Sequence, residues 1–334
     1  MLNYQLLIEK ETMKSESIAA GTWHHAPGSA LSFIKHKAIG SIFLRRLKEK
    51  VIHFFFLANG LLAILILLGI FSLLFIEAVP ALKQIGWSEI FLSSQWDPTS
   101  PEKEAFGILA MMVSTLMVTF GALLIAVPVG IACAAYIADV ANHNVREIVK
   151  PVIEILAGIP SVVIGFLGIV LVGPGLARIL GTSNGLNAIN GSVLLAIMSL
   201  PTIISISEDA IVSVPREFKS ASLALGANKW QTLIRVTIPS ALSGIIAAVM
   251  LGMGRAIGET MTVLMACGNA PALPQSFLNS VRTMTATIAI ELGETVQGDL
   301  HYRSLFIIGF VLFLMTFLAN LVSDIVLQKY QKTG

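Results

Sequence analysis

The sequence has little charge and few of the residues that build chemistry. Only 13% of its 334 residues are charged, and it holds two cysteines, four tryptophans and four tyrosines. The cysteines, Cys133 and Cys267, both lie in apolar stretches. Their separation fits neither a disulfide framework nor a metal-ligand pattern, so they read as packing residues. No G-x-x-x-x-G-K-[ST] run occurs, so the chain has no loop of its own for cradling nucleotide phosphates. The net charge is +2, with the basic excess near the N-terminus. That excess suits a flank against anionic lipid rather than a nucleic-acid surface.

What the sequence does have is apolar length. Hydrophobic residues make up 55%, and mean hydropathy is +0.81. That composition belongs to an integral membrane protein. Six segments are apolar enough to span, near 53–76, 108–137, 152–172, 190–212, 239–267 and 304–327. None has the short apolar core and small-residue cleavage site of a removable leader, so the first reads as a retained span. Residues 1–50 form an N-terminal extension with its first thirty residues mobile, and Met13 is a second candidate start. Residues 51–330 form the membrane domain.

Lysine and arginine set the orientation. The segment before the first span carries Lys10, Lys14, Lys35, Lys37, Arg45, Arg46, Lys48 and Lys50. Loop 213–238 carries Arg216, Lys219, Lys229 and Arg235, whereas loop 173–189 carries only Arg178. Both termini are therefore expected in the cytoplasm, with six spans between them. Loop 77–107 then lies outside, with Trp87 and Trp96 suited to the interface belt or to docking an external partner. Glu291, Glu294, Asp299 and Arg303 are also expected outside, facing a docked binding protein. Segment 173–191 reads as an external loop or short surface helix. Pro128, Pro160 and Pro201 each predict a kink, serving either as a gating hinge or as plain packing geometry.

Arg255 and Glu259 interrupt the fifth apolar stretch at its middle. A charge at that depth costs at least ~2.5–3.5 kcal/mol on insertion scales. On a continuous helix Ala248, Gly252, Arg255, Glu259 and Thr262 would share one small and polar stripe. Arg255 would then lie roughly 24 Å past Pro239. Arginine keeps its charge and presents a rigid fork of donors, which suits an oxyanion in a pathway through the membrane. Glu259 would temper that attraction or pair with Arg255 when the path closes. The alternative is an ion pair that only holds helices together. Gly254 and Gly258, with Gly252, also make a close-packing G-x-x-x-G pattern.

Loop 213–239 has the form of a docking element. Pro215 suits a first helical turn, residues Glu217 to Leu225 favour helix, and Gly226 suits the cap beyond it. A second short helix from Lys229 to Val236 leads to Pro239. The alternative is an amphipathic helix lying on lipid. This loop resembles the signature of ABC importer permeases, in which an E-A-A triplet, a glycine and an I-x-L-P ending keep a fixed spacing. Here Ser220, Ala221 and Ser222 stand at the triplet, Gly226 is the glycine, and Val236, Ile238 and Pro239 close the motif. GMGRAIGETMTV (Gly252 to Val263), EILAGIPSVVIGFLG (Glu154 to Gly168) and the run from Thr287 to Tyr302 resemble phosphate permeases of the Pst type. The Gly-Glu-Thr-Met form is nearer to PstC-type subunits than to PstA-type ones.

The resemblance implies an all-α membrane protein with six transmembrane helices and the type I ABC importer permease (MetI-like) architecture. It implies a non-enzymatic subunit of the bacterial cytoplasmic membrane that moves inorganic phosphate by alternating access. Arg255, Glu259, Thr262 and Gly252 would line the path. Ser220, Ala221, Gly226, Ala227 and Pro239 would meet the ATPase. The implied partners are a PstA-type permease, two ATPase subunits, an extracytoplasmic phosphate-binding protein and membrane lipid. The chain itself would bind no cofactor or metal, ATP and Mg being used by the ATPase. The rivals are a permease for molybdate or sulfate, and an ion-coupled secondary transporter with Glu259 as a proton site.

Overall fold

A computed structural model describes residues 28–331 of the chain. The expectation for residues 1–27 lies outside the described residues. The chain divides into two units, residues 1–70 and 71–334. The first unit, from Gly28, is part of one long helix, α1 (Gly28–Ile85), which passes residue 50 without a break. Its side chains from Val51 to Ile70 are exposed and nearly all apolar, with Asn59 Nδ2 donating back to the Phe55 carbonyl at 2.7 Å. Such a helix satisfies its own backbone and leaves its side chains for lipid or another chain.

The second unit holds the last turns of α1 and everything after it. α2 (Trp87–Leu92) and a two-residue hairpin, β1 (Trp96–Asp97) with β2 (Ala105–Phe106), lead into α3 (Leu109–Val140). α3 is α-helical to Ala135 and ends in a wide π turn, Tyr136–Val140. Then come α4 (His143–Ala157), α5 (Ser161–Leu180) and α6 (Ala188–Val212). α7 (Arg216–Ala224) and α8 (Lys229–Ser240) lie between spans. α9 (Leu242–Gly258), α10 (Met261–Ala266), α11 (Met284–Glu291) and α12 (Leu300–Gln331) complete the order. Among the described residues five helices are long and apolar enough to span, or six when α8 and α9 count as one bent span.

The core is built by α3, α6 and α9. Small residues let these helices approach: Ala122, Ala126, Ala196 and Ala256 share one buried cluster with the larger Ile203. A Cβ at Gly252 would sit 2.7 Å from the Ile203 side chain, so this glycine is what allows α9 to lie against α6.

Four sequence expectations change or narrow here. The fifth span is not a straight helix over 239–267. It bends by 69° between α8 and α9, near Pro239, and stops again at Gly258. The third span starts at Ser161 rather than 152, because Pro160 caps α5 with extended backbone and α4 is a separate amphipathic helix bearing Glu154. Residues 173–180 take the short-helix alternative rather than the loop, and that helix continues the third span. Pro128 and Pro201 sit inside helices that run on past them, leaving Pro160 as the proline at an actual break.

Candidate functional site

The break after α9 sets the geometry around the two charges. Glu259 takes extended backbone (φ −69°, ψ 133°) and ends the helix. Its Oε1 accepts from the Thr262 N–H at 3.2 Å, satisfying one of the free donors at the start of α10. Its own carbonyl accepts from the Thr285 hydroxyl at 2.8 Å, which pins the break against α11. The carboxylate is thus turned toward α10, away from the face that a continuous helix would share with Arg255.

Arg255, one turn earlier, forms no ion pair or hydrogen bond among the described residues. It is exposed on a face of α9 with Leu251 and Gly258. A Cβ at Gly254 or Gly258 would meet nothing within 4 Å, so at these two positions the G-x-x-x-G face packs on no other helix among the described residues. The other two path candidates lie inside. Gly252 is buried against Ile203. Thr262 is 0% exposed, its hydroxyl reaching the Ser161 carbonyl at 3.1 Å and Met198 Sδ at 3.0 Å. The expected stripe is therefore split: Arg255 faces out, Glu259 caps, and Gly252 and Thr262 hold helices together.

A second site is the loop between α6 and α9. Pro215 precedes α7 in extended backbone, and Leu225 caps it. Gly226 then takes φ +89°, a conformation that costs side-chain-bearing residues roughly 1–2 kcal/mol. Asn228 and Gln231 close a capping box on α8 at 2.8 and 3.0 Å, and the Ser222 and Thr232 hydroxyls bond at 3.0 Å. The two short helices are thus tied into one unit. Ser220, Ala221, Gly226 and Pro239 are exposed and Ala227 is half-buried. Around them Phe218, Leu223, Leu225 (90% exposed) and Trp230 (64%) form an uncovered apolar surface beside lysines and glutamate, the composition of a protein contact.

Two charged clusters escaped the sequence reading. Glu208, in the fourth apolar stretch, has a side chain only 2% exposed. Arg146 Nη2 contacts its Oε1 at 2.6 Å and Lys150 Nζ its Oε2 at 3.0 Å. A lone glutamate in an apolar span was a visible signal, and so was a pair of cations four residues apart. Glu291, expected on the outer side to meet a docked binding protein, has its carboxylate largely buried and occupied by neighbours. It accepts from Arg282 at 2.7 Å and from Trp96 Nε1 at 2.9 Å, and lies 2.9 Å from His301 Nε2. Trp96 is correspondingly buried rather than placed in a lipid-facing belt, whereas Trp87 is exposed.

Comparisons with known proteins agree with this architecture. Residues 126–332 match the family described as binding-protein-dependent transport system inner membrane component. The chain is 39% identical over 230 residues to the probable ABC transporter permease protein YqgH of Bacillus subtilis, covering 69% of this chain and 74% of that one. It is 34% identical to the phosphate transport system permease protein PstC of Mesorhizobium japonicum, covering 86% and 93%. It is 31% identical to PstC of Haemophilus influenzae, covering 82% and 91%. Among solved structures it resembles a bacterial alginate ABC transporter (TM-score 0.57, 18% identity, 84% and 96% covered). It also resembles the MetNI methionine ABC transporter (TM-score 0.50, 19% identity, 67% and 94% covered).

Proposed function

The chain belongs to the binding-protein-dependent transport system inner membrane components, and from that premise we propose that it is the phosphate-translocating permease of an ATP-driven importer. It is a multi-pass subunit of the inner membrane and catalyses no reaction itself. It works with an ATPase, a substrate-binding protein and a second permease.

Arg255 carries the reading. An uncommitted guanidinium within an apolar span is expensive to keep, and its open face offers several donors to an anion. The likeness to phosphate permeases selects phosphate among the oxyanions. The second permease, of the PstA type, covers the face of Leu251, Gly254 and Gly258, so that the path runs between two subunits with Arg255 on its wall. Glu259 shapes the helix break beside the path rather than neutralising the arginine. Passage then needs only weak binding that releases the ion again.

Both termini and α7 lie in the cytoplasm. There Phe218, Leu225 and Trp230, around Ser220, Ala221, Gly226 and Ala227, enter a groove on one of two ATPase subunits, which bind ATP and magnesium. The test is reconstitution with the co-purifying partners and measurement of labelled phosphate uptake with and without ATP. Uptake that requires ATP and resists uncouplers supports the importer. Uptake that ignores ATP and collapses with uncouplers would replace it by the ion-coupled carrier.

A further inference from the structure

Three ion pairs at two joints close a ring that starts and ends on α6, the helix that leads into α7. α6 ends at Val212 and passes through residues 213–215 into α7. Lys219 of α7 pairs with Asp139, in the π turn that ends α3. Beyond Asn142 the chain enters α4. Arg146 and Lys150 of α4 hold the two oxygens of Glu208, back on α6. The path has returned to its start with two covalent joints and two ionic ones. Its inside is filled by a single apolar cluster that includes Ile137, Ile211, Val214 and Leu233.

The ionic joints decide how α7 can move. A helix tethered only through a three-residue link can pivot about that link, and little of its displacement passes on. A second attachment on its own body removes the pivot. Ser222, bonded to Thr232, supplies one such attachment toward α8, and Lys219 supplies the one toward the end of α3 and so toward α4. The force then reaches α4 through the short stretch after Asp139, and α4 is also held to α6 through Glu208. Opening the Glu208 joint is costly, because a buried carboxylate would lose both its cations. The Asp139 carboxylate is the more accessible of the two, 21% exposed against 2% for Glu208.

We infer that Glu208 and Asp139 are positioning residues that make α7, α4 and the inner end of α6 move as one body, so that displacement of α7 reaches span α5 through α4 and Pro160. The inference rests on α7 being the element that the ATPase displaces.

The test uses the complete transporter in vesicles, with phosphate uptake and ATP hydrolysis measured together. The variants are Asp139→Asn, Glu208→Gln, their double, and the exchange Asp139→Lys with Lys219→Asp. Each single change is expected to lower phosphate moved per ATP by roughly five- to tenfold. The double should be no worse than the weaker single, since one open joint already breaks the ring, a non-additivity that independent contacts lack. The exchange should restore about half of the lost coupling or more. Unchanged coupling in the singles, or additive losses in the double, overturns the inference. If Glu208→Gln does not assemble, Asp139→Asn and the exchange decide alone: a loss that the exchange leaves unrestored overturns it. The underlying reading is checked separately by co-purification. An ATPase that stays bound to a Phe218→Asp, Leu225→Asp variant removes α7 as its contact, whatever the ring variants do.

Discussion

Glu208 and Glu259 are each a carboxylate in an apolar span, and the fold uses them in opposite ways. Glu208 is buried and meets two cations from a neighbouring helix, one on each oxygen. Glu259 lies four residues from an arginine and does not pair with it; it caps the next short helix instead. The cations differ in the same sense. Arg146 and Lys150 are committed to a carboxylate, whereas Arg255 is committed to nothing among the described residues. A buried pair has its electrostatic cost offset from within, so its role is in holding and moving helices. An unpaired charge at a similar site has its cost offset from outside, by a partner, by water or by the ion it serves.

The comparison breaks most visibly if Glu208 is stranded. Replacing Arg146 and Lys150 together by alanine should destabilise the subunit by about 3–5 kcal/mol, because a buried carboxylate is left uncompensated. Thermal unfolding in detergent reads this as a large loss of Tm. Replacing Arg255 should do the reverse, sparing stability and removing transport. Arg255→Gln is expected to lower uptake on the order of a hundredfold, the equivalent of a lost charge-assisted contact of about 1.5–3 kcal/mol, with assembly intact. A variant that no longer assembles would make Arg255 a structural residue like Glu208.

Overfilling the contact beneath Arg255 comes next. Gly252→Val should cost about 1–3 kcal/mol by driving a side chain into Ile203, seen as a lower Tm. The smallest effect separates the two carboxylates directly. Glu259→Gln keeps an acceptor for the Thr262 N–H, so stability should shift by less than about 1 kcal/mol, the worth of a whole cap. A much larger loss would show that Glu259 is held by its charge, as Glu208 is.

Much of the fold was legible in the residues. The apolar runs marked the spans, and the Pro215-to-Gly226 spacing marked α7 to within a residue at each end. The errors share one cause. Helical periodicity placed Arg255, Glu259 and Thr262 on one stripe, which assumes a continuous helix. The chain leaves the helix at Glu259, where the Thr285 hydroxyl and the Thr262 N–H offer hydrogen bonds that no local pattern announces. Pro160 stands at a helix break, whereas the helices holding Pro128 and Pro201 run on past them. Glu291 looked like a free charge because its partners Trp96 and Arg282 come from separate loops.

The sequence by itself determined that this chain lives in a membrane, where its apolar stretches lie, where the turn residues around α7 fall and which charges are anomalous. Apolar length, lysine and arginine placement and turn residues are local properties, and they act before any helix meets another. Only the tertiary structure decided which anomalous charge is satisfied. Glu208 meets Arg146 across 62 residues, while Arg255 misses a carboxylate four residues away. Charge pairing follows distance in space, and inside a bundle that distance is set by how small residues let helices approach and by where a helix stops.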